Sequence, residues 1–115
     1  MFGVSQPTPT AIAATGTLTI AQLMGRTITT SGTVAISLTL PTGTLCDAGI
    51  ASGGLANDET FHWYIINTGT SVAIVTLLAG TGHTIVGGAT LAIGTSGHLM
   101  TRKTAANTFV TYRAS

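Results

Sequence analysis

Charge is the scarcest commodity in this sequence. Four Lys plus Arg and three Asp plus Glu make 6% of 115 residues, where an ordinary soluble domain carries about 25%. Intrinsic disorder is excluded, because disordered chains are rich in charge and poor in apolar residues. A coiled coil is excluded too, since its e and g positions need charges that are not there. The net charge of +1 leaves no basic footprint for nucleic acid. One cysteine, Cys46, rules out an internal disulfide framework. No apolar run approaches the ~20 residues of a membrane span; the longest, Val72 to Ala79, is interrupted by Thr76. The first ten residues contain no Lys or Arg and no continuous apolar stretch, so an export signal is not expected.

What is present is threonine, glycine and an ordinary share of apolar residues. There are 24 Thr and 15 Gly, and hydrophobic residues make 44%. Glycine is irregularly placed, which excludes collagen. A chain of this length buries about two-thirds of its unfolded surface, enough for one domain. With so little net charge there is weak colloidal repulsion, so the chain is expected to live against other protein.

The apolar pattern predicts an all-β fold. Val34, Ile36, Leu38 and Leu40 alternate with Ala35, Ser37 and Thr39, the period of a half-buried strand. Further strands are expected at about Arg26–Thr30, Thr60–Ile66, Val72–Ala79, His83–Val86, Thr90–Ile93, Leu99–Lys103 and Thr108–Arg113. Turn residues separate them, including Ser31-Gly32, Asn67-Thr68-Gly69-Thr70, Gly80-Thr81-Gly82 and Gly87-Gly88. About eight antiparallel strands in two sheets is the jelly-roll number. Val72–Ala79 is apolar on both faces in part, as a central strand would be. Two short helical turns are expected, one capped by Thr19 and closed by a left-handed Gly25, the other capped by Thr44 with Asp47 in its first turn. Residues 1–15, with Pro7-Thr8-Pro9 and the apolar Phe2 and Val4, read as an extended arm leading into a single domain at 16–115. Thr30 to Ile36 resembles Asn67 to Ile74. Shared turn chemistry accounts for that likeness, and the copies are too few for a solenoid.

No catalytic constellation emerges, and no enzyme is predicted. Asp58 and Glu59 are adjacent and point apart on extended backbone; Asp47 is the remaining carboxylate. Cys46 pairs with a histidine in the nucleophilic reading, and is a small buried hydrophobe in the simpler one. His62, His83 and His98 lie 21 and 15 residues apart, without the local spacing common in metal sites, so no metal or cofactor is expected. His62 and His98 read as outer-face strand residues. Gly80-Thr81-Gly82 precedes a strand and not the helix that a dinucleotide loop requires. Arg26, Arg102, Lys103 and Arg113 are the only cations, too few for a nucleic-acid groove and suited instead to contacts with a protein partner. Trp63 shares a face with Phe61 and Ile65, which places it in the core and Tyr64 outside.

Six stretches carry a family resemblance. In the first half they are Thr19-Ile20-Ala21-Gln22-Leu23-Met24-Gly25, Leu40-Pro41-Thr42 and the short helix expected at Leu45 to Ile50. In the second half they are Phe61-His62-Trp63-Tyr64-Ile65-Ile66-Asn67-Thr68-Gly69-Thr70, Ala79-Gly80-Thr81-Gly82-His83-Thr84-Ile85-Val86-Gly87 and Arg102-Lys103-Thr104-Ala105-Ala106-Asn107-Thr108-Phe109-Val110-Thr111-Tyr112-Arg113. Over residues 17 to 113 the chain resembles the β-rich capsid decoration (cement) proteins of tailed phages. Similar sequence occurs in modules of tail fibres and other virion appendages. The resemblance implies a homotrimer on the outer capsid surface that bridges subunits of the major capsid protein and reinforces the shell, with no catalytic residues. On that reading Phe2, Val4, Arg26, Tyr64, Arg102, Lys103 and Arg113 are the candidate capsid or subunit contacts. The competing expectation is a tail-fibre or spike module that binds a host receptor or glycan through an exposed aromatic, Tyr64 or Tyr112.

Overall fold

A computed structural model describes residues 8–50 and 56–114. Phe2 and Val4 lie outside the described residues, as does the tip of the expected arm. Among the described residues the fold is mixed α/β, with a six-stranded sheet, a four-stranded sheet and two short helices. The strands are β1 (Thr10–Ile12), β2 (Gly16–Thr17), β3 (Thr27–Thr30), β4 (Ile36–Thr39), β5 (Thr60–Asn67), β6 (Val75–Leu78), β7 (His83–Val86), β8 (Thr90–Leu91), β9 (Ser96–Ala105) and β10 (Thr108–Arg113). Helix α1 spans Ile20–Met24 and α2 spans Gly43–Ile50. β1 is an edge strand, so the larger sheet already begins within the segment expected as an arm.

The chain crosses between the two sheets at almost every turn. β1, β3, β5 and β7 belong to the larger sheet, ordered β1-β3-β5-β9-β10-β7. β2, β4, β6 and β8 form the smaller, in that order. Up to β7, each strand that returns to its sheet after one pass through the other runs in its earlier direction; β8 and β9 return reversed. β1, β3 and β5 are therefore parallel neighbours, with Thr10 opposite Ile28 and Thr27 opposite Tyr64. β2, β4 and β6 are likewise parallel, with Gly16 opposite Leu38 and Ile36 opposite Val75. This corrects the expected antiparallel arrangement: five of the eight ladders are parallel, and antiparallel pairing is confined to β5–β9, β9–β10 and β6–β8. Side-chain alternation reports that one face is buried. It does not report strand direction, which depends on whether a turn folds back within its sheet or crosses to the other.

The stretches that resemble each other, Thr30–Ile36 and Asn67–Ile74, occupy equivalent corners of successive passes, stacked on one another. Ser31 N donates to Ile12 O at 3.1 Å, Thr68 N to Thr30 O at 2.8 Å and Thr70 N to Gly32 O at 2.9 Å. A Cβ on Gly69 would stand 2.6 Å from Ala73 Cβ, so the stack admits no side chain there. Asn67, fully buried, ties this corner to the smaller sheet. Its Nδ2 donates to Ala73 O at 2.9 Å and Leu91 O at 3.2 Å, and its Oδ1 accepts from Gly69 N at 2.9 Å.

The core lies between the sheets. Ile28, Trp63, Ile65 and Leu99 of the larger sheet pack in one cluster with Ile36, Leu38, Leu40, Val75, Leu77 and Leu91 of the smaller side. The molecule measures 41 × 40 × 21 Å, its short dimension set by two layers about 10 Å apart with their outward side chains. Trp63, Phe61 and Ile65 point inward as expected. Val34 does not: it is exposed, because residues 31–35 form the corner and β4 starts at Ile36.

The helices close one end of this pair of layers. Thr19 caps α1 as expected, in a capping box with Gln22. Its other end differs from expectation. Gly25 is right-handed at φ −70° and Arg26 takes the left-handed turn at φ 72°, because Arg26 N still donates to Leu23 O before the chain swings into β3. α2 begins at Gly43, two residues before the start that a Thr44 cap implies, and Thr42 is its cap, its Oγ1 accepting from Leu45 N at 3.2 Å. Asp47 thereby falls beyond the first turn. A Cβ on Gly43 would lie 1.9 Å from Asn107 O, so glycine is what lets α2 rest on the tip of the β9–β10 hairpin.

Candidate functional site

The outer face of the larger sheet gathers the polar and aromatic side chains most able to meet a ligand. Along β5 the inward Trp63, Ile65 and Asn67 alternate with the exposed His62, Tyr64 and Ile66. The antiparallel register with β9 sets Tyr64 opposite His98, His62 opposite Met100 and Thr60 opposite Arg102. The rings of Tyr64 and His98 stack at 4.7 Å between centroids and 22° between planes. His62 Nδ1 lies 2.8 Å from His98 Nε2. Beside the stack runs an open groove of about 370 Å³ lined by Thr27, Tyr64, Ile66, Ser96, Gly97 and His98. Sequence pattern puts both histidines on an outer face. Their meeting was not legible, since nothing in the pattern says that β5 pairs with β9.

The four cations do not form one patch. Arg102 lies on the outer face, where Nη2 donates to Asp58 Oδ1 at 2.8 Å and Nη1 to Tyr112 Oη at 2.7 Å. The Asp58 carboxylate, then the Tyr112 hydroxyl, hold its guanidinium more firmly protonated than usual. Lys103, the next residue, faces the other way and bonds Asp47 of α2 at 2.7 Å. Asp47 also accepts from Asn107 N at 2.9 Å, and these two donors hold its carboxyl below the usual range. Arg113, at the opposite end of the hairpin, donates to Gly88 O at 3.1 Å and Thr90 O at 2.8 Å. Lys103 and Arg113 are thus braces within the chain. Arg26 sits at the α1–β3 turn, where its carbonyl accepts from Tyr64 N at 2.6 Å. The third carboxylate, Glu59, accepts from Ala56 N at 2.5 Å.

A second polar assembly is wholly internal. Trp63 Nε1 donates to Thr101 Oγ1 at 3.0 Å; Thr101 Oγ1 and Thr111 Oγ1 are 2.8 Å apart; Thr111 Oγ1 is 2.6 Å from His83 Nε2; His83 Nδ1 is 3.1 Å from Pro41 O. The indole can only donate and the carbonyl can only accept. These two ends orient every proton between them, and His83 is neutral with its hydrogen on Nδ1. Burial pushes the His83 pKa down, partly offset by the Pro41 carbonyl. Sequence pattern left this histidine unassigned, although it shares strand parity with the inward Ile85. The thiol of Cys46 is 4.0 Å from His83 Nδ1. It is no thiolate: burial, then the neighbouring Asp47 charge, pushes its pKa up to about 11. The histidine nitrogen nearest it is already held by Pro41.

Among the described residues no three metal-ligating side chains cluster, and no helix is long and apolar enough to cross a membrane. A scan of protein-family models and searches of curated proteins and of solved structures find no match to this chain.

Proposed function

We propose that this chain is a structural virion protein, a capsid decoration protein that binds the outer surface of a phage capsid as a homotrimer and stiffens the shell. The observation that carries this reading is an apolar outer surface on a charge-poor slab. Val72, Ile74 and Leu78 lie on or beside β6, and all three are exposed, as is Val34 at the neighbouring corner. β6 is central within its own sheet, between β4 and β8, yet among the described residues nothing covers its outward side. Contiguous exposed apolar residues mark protein-binding surfaces, and a surface with few charges strands few of them when covered. The two layers then serve as a rigid two-sheet slab, with the surface around β6 turned to identical neighbours or the major capsid protein.

The test has two parts. Sedimentation of the purified chain is expected to give a trimer, which Ile74→Lys disrupts. Electron microscopy of particles carrying the labelled chain is expected to show density at three-fold positions on the shell. Density only at the tail, or a monomer that does not bind capsids, would refute the proposal.

The stacked Tyr64–His98 pair beside its groove favours one alternative, a tail-fibre or spike module that binds a host glycan. In that case glycan binding is present in the parent chain and lost in Tyr64→Ala.

A further inference from the structure

We propose that His62 and His98 form a two-imidazole site for a borderline transition-metal cation, of the zinc, nickel or copper(II) class, on the outer face of the larger sheet. The inference is independent of the virion reading. His62 comes from β5 and His98 from β9, 36 residues apart, and their facing nitrogens stand 2.8 Å from each other. Two nitrogens each ~2.0–2.1 Å from a shared ion stand about 2.9–3.4 Å apart at ligand angles of ~90–110°. The pair therefore needs to open by only a few tenths of an ångström. With ring centroids 5.0 Å apart the two rings meet nearly head-on, so each must also turn by roughly 35–45° to bring both lone pairs onto one point at that ligand geometry.

In the metal-free chain one ring donates the hydrogen between them and the other accepts it. A cation takes the place of that hydrogen. The donor ring carries its hydrogen on its other nitrogen instead, so the neutral pair binds without net proton release. The surroundings favour order at the site. His98 is held by its stack on Tyr64, which lowers the freedom lost on binding. Met100, directly opposite His62 in the ladder, places a thioether on the same face at the ~4.5–5.5 Å spacing of cross-strand Cβ atoms. Imidazole and thioether are the donors that select late transition metals over calcium and magnesium. Open coordination positions face solvent. The third histidine cannot compete, because His83 is buried with both ring nitrogens engaged.

The experiment is titration of the untagged, chelator-treated full chain with zinc, nickel and magnesium salts, followed by calorimetry. Copper(II) paramagnetic resonance counts the coordinating nitrogens. Expected are one zinc or nickel ion per chain, two imidazole nitrogens on copper and no magnesium binding. His62→Ala and His98→Ala should each weaken binding at least tenfold, since even partners one shell out are worth roughly 10–100-fold. His62 is exposed and His98 half-buried on the outer face, so circular dichroism should be unchanged in both variants and the melting temperature should fall only slightly, most for His98→Ala, which loses its stack on Tyr64. Absence of saturable binding would overturn the proposal. So would binding that survives both substitutions, or a stoichiometry of one ion per two or three chains.

Discussion

Replacing Thr111 by valine isolates the internal relay from packing. The two side chains have nearly the same shape, so no cavity opens. The hydroxyl, however, has two partners, Thr101 Oγ1 at 2.8 Å and His83 Nε2 at 2.6 Å. Its removal leaves the Thr101 hydroxyl without an acceptor and the His83 nitrogen without a donor, both in the interior. Each orphaned buried polar group costs about 1–3 kcal/mol; the two belong to one network and do not add in full, which puts the loss at about 2–4 kcal/mol. Stability for a domain is ~5–15 kcal/mol, so the effect is large but survivable. At ~2.1 cal/mol/K per residue the unfolding entropy of this chain is about 0.24 kcal/mol/K, and the melting temperature falls by ~8–16 °C. Denaturant and thermal melts at one fixed protein concentration measure it, since self-association would otherwise shift the midpoint. Thr111→Ser keeps the hydroxyl and should cost less than Thr111→Val. Adding Thr101→Val to Thr111→Val should cost less than the sum, because it removes a group already orphaned. A Thr111→Val loss below ~0.5 kcal/mol, the size of an ordinary surface change, would refute the relay.

The remaining predictions concern the same interior. Asn67→Ala strips hydrogen bonds from Ala73 O, Leu91 O and Gly69 N and should destabilise by about 2–4 kcal/mol, read by urea titration. Thr30→Val should be neutral or stabilise by up to ~1 kcal/mol, because Thr30 Oγ1 is buried with no partner among the described residues; a clear loss in the same titration would show that the hydroxyl is satisfied. Stability should fall as pH drops below about 6.5, because the unfolded chain takes a proton on His83 that the folded chain, with its lowered pKa, refuses. The slope is at most ~1.4 kcal/mol per pH unit until the folded group titrates. Melts at pH 7.5 and 5.5 that coincide would contradict the buried neutral imidazole.

Much of the local structure was legible because it is a local matter. Thr19 with Gln22 three residues on makes its capping box from side chains the sequence sets side by side. Trp63 follows Phe61 and Ile65 inward because alternation is a property of one strand. The departures came where a neighbour decided. Val34 has the right parity for the core but sits on a corner, and Arg26 rather than Gly25 takes the left-handed turn. Val72 to Leu78 is apolar on two faces because one meets the core and the other meets solvent in the isolated chain.

Composition and periodicity by themselves determined that this is a charge-poor, strand-rich domain with a threonine-clad surface, and roughly where its strands begin and end. Only the tertiary structure decided that the chain crosses between sheets, so that neighbours run parallel and like corners stack. It also decided that Lys103 and Arg113 brace neighbouring segments of the chain, that His83 closes a buried relay and that His62 meets His98. The physical reason is one of range. Alternation and capping act over a few residues and are written in adjacent letters. Strand direction, register and charge pairing depend on which distant segment arrives alongside, and that is set by packing the whole core.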